Sequence, residues 1–356
     1  MKRESFLLLS AAIALTLFGL FIIYDASSYS AFKDFGDKYH YIKDQLFWAL
    51  IGVGGLTFFS LFDYRKLYAL SLPILVSSIV LLGLVFVPGI GVYILGAHRW
   101  INLKFFVLQS SEFAKLALTI YLAAWFSTKE KGRLPAFLLL MGIVLGLIML
   151  EPDMGTAVII LIQAMSLYFM SGANVLQFVP IVPILLILGF ILAKLSPYRA
   201  QRIETFFNVN QSVQTSSYHV RQILIALGSG GLTGVGIGNS LQKYGYLPEN
   251  TTDSIFAIIA EELGFVGSVV VISAFVLMIF LGFTIASKAH DSFGKLLAGG
   301  ITTLIAFQAL INLSSQTTLL PLTGVPLPLI SYGGSALIVN LSAIGILINI
   351  SKQGRV

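Results

Sequence analysis

The stretch from Tyr246 to Phe265 concentrates acid in a chain that otherwise has little of it. Glu249 and Asp253 precede an apolar run, and Glu261 and Glu262 lie within it. If that run is a membrane helix, Asp253 sits at its mouth, and Glu261 lies roughly 12 Å deeper at 1.5 Å rise per residue. Ionisable groups at such depth are costly and face a protein interior or a water-filled cavity. A carboxylate at a membrane mouth suits general-base work. The plainer reading is that Asp253, following Pro248, is the N-cap of the helix.

Candidate cations lie elsewhere. Gly96-Ala-His-Arg-Trp-Ile-Asn102 contains Arg99, and Gln109-Ser-Ser-Glu-Phe-Ala-Lys115 contains Glu112 and Lys115. Glu112 and Lys115 are three apart, so they share a helix face. They could simply neutralise each other, or Lys115 could snorkel to the interface; Arg99-Trp100 could be an interfacial anchor. Fixed cations on one side also suit a phosphate-bearing ligand. Tyr218-His-Val-Arg-Gln222 adds Arg221 and Gln222, and the glycine-rich run 227–238 follows. Backbone N–H groups near glycines can cradle phosphate, but a re-entrant turn explains the run equally well. The run does not fit G-x-G-x-x-G and no βαβ unit surrounds it, so nucleotide binding is rejected.

Two turns complete the set. Glu151-Pro152-Asp153-Met-Gly155 reads as a tight turn in which Asp153 caps the next helix. The run 321–335, with three prolines and the sequence Ser331-Tyr332-Gly-Gly, cannot face lipid and must wall a cleft or pack on protein. Asn250-Thr-Thr matches a glycosylation acceptor, but Asn312-Leu-Ser and Asn340-Leu-Ser do so inside apolar runs, and all three are set aside.

The elements that must hold these residues are membrane helices. The chain has 356 residues, 57% hydrophobic and 11% charged, with formal charge +6 and mean hydropathy +0.90. Soluble domains carry about 25% charged residues. Cysteine is absent, which excludes disulfides and thiolate chemistry, and the four histidines show no metal-ligand spacing. No basic run points to nucleic acid. The fold class is an all-α polytopic membrane protein, one integral membrane domain over 1–356, with about ten spans: 5–24, 45–62, 67–87, 111–126, 134–150, 155–171, 175–195, 253–285, 296–314 and 331–350. The eighth run is too long for a simple span. Lys and Arg are denser in the short links, which places both termini in the cytoplasm and the loops 25–44, 88–110, 196–252 and 315–330 outside. Function should therefore lie on the outer face.

Taken together and in order, these motifs resemble the SEDS (shape, elongation, division and sporulation) glycosyltransferases. That family shows G-A-x-R-W-[IL]-x-L, Q-P-S-E-x-x-K, E-P-D-x-G-T-A, Y-Q-x-x-Q-S followed by G-S-G-G-L, L-P-E-x-x-T-D-x-I-F-A with E-E-x-G, and P-x-x-G-[VL]-x-L-P-x-[IV]-S-Y-G-G-S. Counterparts run from residue 24 to 350. Tyr24-Asp-Ala-Ser-Ser, Gly238-Asn-Ser-Leu-Gln-Lys243 and Ile346-Leu-Ile-Asn-Ile-Ser351 are most similar to the division branch, FtsW, with the elongation branch, RodA, second. Ser110 stands where the family has Pro, Thr318 where Gly is common, and His219 and Ile223 replace a Gln and a Ser, so no role is carried onto those two. The segment 204–216 lacks the usual acidic-Pro stretch.

The resemblance implies a peptidoglycan polymerase that uses lipid II and releases undecaprenyl pyrophosphate. Asp253 would be the base, and Lys115, Arg99 and Arg221 would face the pyrophosphate with Glu112 orienting Lys115. Gln222, Glu249, Ser331 and Tyr332 would line the substrate site. A class B penicillin-binding protein and other division-complex membrane proteins are the implied partners. No organic cofactor is expected; Mg2+ or Mn2+ is compatible with pyrophosphate and carboxylates, though no residue demands a metal. A lipid II flippase fits the same spans and polar groups, and a non-catalytic scaffold is a third reading.

Overall fold

The structure is a computed structural model that describes residues 3–94, 97–102, 106–128, 132–172 and 215–354. The expected span 175–195 lies outside the described residues. The chain enters through α1 (Arg3–Phe35), α2 (His40–Leu61) and α3 (Arg65–Leu84). A sheet of β1 (Gly91–Ile94), β2 (Ala97–Asn102) and β3 (Val107–Gln109) leads to α4 (Ser110–Ser127), α5 (Leu134–Leu150) and α6 (Met154–Met170). After the undescribed stretch come α7 (Thr215–Gly230), α8 (Ile255–Lys288), α9 (Ser292–Gln316) and α10 (Gly334–Gln353). Six of these helices, α1, α2, α3, α8, α9 and α10, are long and apolar enough to cross a membrane.

Burial sorts the helices into shells. The apolar windows of α9 and α10 are 78% and 83% buried, against 28–39% for α1, α2, α3 and α8. The first two form the centre, and the others turn apolar faces such as Leu17, Phe21 and Leu50 outward, as lipid contact allows. Close approach fastens the centre to the shell. A Cβ on Gly345 of α10 would lie 2.5 Å from the Leu56 carbonyl of α2, so only glycine permits that crossing.

The bundle has two unlike ends. At one, Ser5 Oγ donates to Ser351 Oγ at 2.8 Å, Lys288 pairs with Glu4 at 2.7 Å, and Tyr64 N donates to Asn349 Oδ1 at 3.0 Å. The first turn of α1 and the last turn of α10 therefore lie together with Arg65, Lys66 and Lys352. The opposite end holds the sheet, α7 and the loops that carry Asp253 and Ser331.

Three expected loops contain structure. Nothing between Tyr24 and Phe35 breaks a helix, so α1 runs on to Phe35 and stops at Gly36, where φ is +72°. The expected loop 88–110 is an antiparallel sheet in the order β1-β2-β3, with Val92 opposite Trp100 and Trp100 opposite Gln109. The described part of 196–252 contains α7. The overlong eighth run also has its explanation: α8 is broken at Gly264, with φ +65° and ψ −161°. Residues 265–288 span about 36 Å on their own at 1.5 Å per residue, enough for the hydrocarbon core. The first part of α8, 255–263, is thus a half-helix above that crossing.

Candidate active site

The half-helix of α8 starts from a segment gripped by three other elements. Tyr332 N donates to Thr251 O at 2.9 Å. Ser331 Oγ donates to Thr252 O at 2.6 Å and accepts from Leu327 N at 2.9 Å. Asp253 O accepts from Asn312 Nδ2 at 2.9 Å and from Gln316 Nε2 at 2.8 Å. His219 Nε2 of α7 lies 2.7 Å from Ser254 Oγ, which is fully buried. Four consecutive residues are held by the 321–333 loop, α9 and α7. The cap reading of Asp253 fails, because Ser254 is the N-cap of α8. The Asp253 side chain is left half-buried at the loop end, beside Gly324, whose Cβ would come 3.4 Å from Asp253 Oδ2.

Lys115 lies below it along α9. Lys115 Nζ bonds Glu112 Oε1 at 2.6 Å and Gln308 Oε1 at 3.1 Å, and both charged residues are 1% exposed. Snorkelling is excluded. Gln308 donates in turn to Pro326 O at 3.2 Å. Since Gln308 and Asn312 are one turn apart, the Lys115 contact and the Asp253 contact are separated by about 6 Å of helix rise. Glu112 keeps one oxygen, Oε2, without a hydrogen-bond partner.

Arg99 sits on the central strand β2. Its Nε and Nη2 donate to the carbonyls of Glu151 and Pro152 at 3.1 and 2.6 Å. A guanidinium has five N–H donors, so this leaves others to offer. The turn that Arg99 grips is capped by Asp153, which accepts from Thr156 N and Thr156 Oγ1 at 3.1 and 2.8 Å, as expected. Glu151 is fully buried and accepts from Ser110 Oγ at 3.2 Å. Burial, reinforced by Asp153, raises its carboxyl to about 8. A Cβ on Gly155 would strike Thr323 O at 2.7 Å, so this turn packs directly on the loop that flanks Asp253.

The remaining expected residues have other surroundings. Glu249 is exposed and organises the turn: its Oε2 accepts from Thr252 Oγ1 at 2.7 Å and its carbonyl from Ser254 N at 3.0 Å. Tyr332 donates its hydroxyl to Asp44 at 2.6 Å, and burial with that carboxylate raises the phenol's pKa. The side chains of Ser331 and Tyr332 therefore wall the site. Arg221 is exposed and Gln222 half-buried on α7. Sequence reasoning passed over Gln308, Asn312 and Gln316. Their spacing of four on an apolar helix was the available signal. Among the described residues no group of three or more His, Cys, Asp or Glu side chains is arranged to hold a metal.

Comparison with known proteins shows the family. The cell cycle protein family of FtsW, RodA and SpoVE matches residues 5–356. The chain belongs to that family. A probable peptidoglycan glycosyltransferase FtsW from Trichlorobacter lovleyi is 40% identical over 97% of this chain and 92% of its own length. Stage V sporulation protein E of Bacillus subtilis is 38% identical over 98% and 97%. Among solved structures, one described as a peptidoglycan synthase complex that coordinates polymerization and crosslinking contains a chain with TM-score 0.80 and 25% identity, covering 97% of this chain and 96% of that one. RodA of Thermus thermophilus has TM-score 0.72 at 26% identity, with 98% and 97% covered. The resemblance read from the motifs and the multi-pass membrane fold both stand.

Proposed function

We propose that this chain polymerises peptidoglycan glycan strands from lipid II in division or elongation. Peptidoglycan glycosyltransferase is the activity named for its FtsW relatives, and the finer assignment is built on the site. The acceptor hydroxyl oxygen attacks the anomeric carbon of the donor sugar. The bond from that carbon to the pyrophosphate oxygen breaks, and undecaprenyl pyrophosphate leaves with the electron pair. One in-line displacement inverts the α donor to a β product. Asp253 takes the acceptor proton, a role worth roughly 10²–10⁴ in rate. Lys115, oriented by Glu112, and the remaining donors of Arg99 stabilise charge on the leaving group. The observation that carries this reading is that α9 holds both the Lys115 ammonium and the Asp253 backbone, one helical turn apart.

The site would open on the extracytoplasmic face, where Arg221 and Gln222 would meet the donor and a class B penicillin-binding protein would be the partner. Mg2+ or Mn2+ would accompany pyrophosphate. Asn312 Oδ1, without a hydrogen-bond partner and beside Asp253, is an oxygen donor of the kind such an ion takes. No step depends on it.

The test is polymerisation of purified lipid II by the protein with its transpeptidase partner, wild type against Asp253→Asn. The variant should fold and bind its partner but make glycan only at a residual rate, roughly 10²–10⁴-fold below the wild type. Normal polymer from it would remove the base assignment, and lipid translocation that survives loss of polymerisation would favour a flippase.

A further inference from the structure

Gln308, Asn312 and Gln316 form a polar stripe on the buried face of a membrane helix, each 1% exposed or less. Buried amides in a membrane helix require partners. These three spend their donors on two neighbouring backbone segments: Gln308 on Pro326 O, Asn312 on Val325 O and Asp253 O, and Gln316 on Asp253 O. Gln308 also accepts from Lys115. Two side-chain amides from successive turns converge on one carbonyl, where a single bond would satisfy it. Because Ser254 is the N-cap, that carbonyl lies just before the α8 ladder, so α9 decides where Asp253 stands.

We infer that Asn312 and Gln316 are positioning residues for Asp253, and that the stripe as a whole sets its register against Lys115. This inference rests on the proposed roles of those two residues. One helix carries both contacts, so the spacing between the Asp253 backbone and the Lys115 ammonium is tied to helix pitch. In-line transfer demands such constancy, because misplacement by an ångström or so can cost about 10²-fold in rate.

The test measures kcat and KM for lipid II polymerisation by the full chain with its transpeptidase partner, for Gln316→Met, Asn312→Leu and their combination. Gln316→Met should lower kcat about tenfold and leave KM within about twofold, since it removes aim and not binding. The combination should fall further. In an Asp253→Asn background, where no base remains to be aimed, the same changes should leave the residual rate unaltered. Asn312→Leu also strips Val325 O of its donor. Should that variant fail to fold, Gln316→Met carries the test, since its amide donates to Asp253 alone among the described residues. Unchanged kcat in Gln316→Met, or an equal fall with and without Asp253, overturns the inference. A fully active Asp253→Asn protein would instead break the base assignment on which it rests.

Discussion

Among the described residues two lysines are buried beside carboxylates, and they are built for different ends. Lys115 pairs with Glu112 on its own helix, one turn away, at 2.6 Å. Its second partner is a neutral amide, and Glu112 keeps one bare oxygen. Lys243 bridges distant elements. Its Nζ lies 2.9 and 3.0 Å from the two oxygens of Asp25 on α1 and 3.2 Å from Glu262 on α8. Around it, Ser240 N donates to Glu262 at 3.1 Å and Ser240 Oγ donates to Glu261. One pair is local, so it adds little to the joining of helices, and it faces the stripe below Asp253. The other ties α1, the 240–244 turn and the half-helix together. A buried ion pair is weak evidence of stabilisation in itself; what separates these two is which partners they connect and what is left unpaired.

Substitution should divide them. Lys243→Met leaves Asp25 and Glu262 facing each other without a cation, and about 3–5 kcal/mol of stability should be lost. Neutralising the whole group with Asp25→Asn, Lys243→Met and Glu262→Gln should recover most of that loss and most of the polymerisation. Denaturation in detergent, together with a lipid II assay, reads both. If the triple variant folds but is inactive, the group is more than a staple. At the other lysine the reverse is expected. Glu112→Gln with Lys115→Met removes both charges together and should melt near the wild type, yet polymerise roughly 10²–10³-fold more slowly. A stable double variant with full activity would make that pair a staple too.

Glu151 sharpens the contrast as a buried acid with no cation on its carboxylate, since Arg99 gives its bonds to backbone carbonyls. Its folded pKa of about 8 lies above the ordinary 4.5. Below about 4.5 both folded and unfolded chains hold the proton, and the contribution is complete. As pH rises towards 8 the unfolded chain releases the proton first, and stability is progressively lost. Glu151→Gln should therefore gain on the wild type over that window, seen as a diverging pair of melting curves between pH 5 and 8. Parallel curves would mean the carboxyl ionises normally.

What could be read from sequence follows the same division. Glu112 and Lys115 declare themselves because helix periodicity puts residues three apart on one face. Asp253 stood out as an acid at the head of an apolar run, although its rival role as a cap fell only when Ser254 took that place. Lys243 and Asp25 are 218 residues apart, and no local pattern reports that they touch. The stripe on α9 had a visible spacing, but Asn312 was dismissed with a chance tripeptide. The sheet under Arg99 is short and irregular, and gave no period to detect. Gly264 was hidden for another reason: a glycine among apolar residues does not reveal a backbone turn that tertiary contacts impose.

That turn has a mechanical consequence. At the break, the carbonyls of Glu261 and Glu262 accept from Val235 N and Gly236 N at 3.0 and 3.1 Å, while Phe265 N and Val266 N donate to Gly231 and Leu232 carbonyls. The glycine strand thus splices the helix, and the two halves need not tilt as one rod. A thicker or thinner bilayer is met by leaning of 265–288 beneath the joint, while the half-helix stays bolted to α7, α9 and the proline loop. The place of the acid is then set by the contacts of the half-helix, whatever the tilt of 265–288.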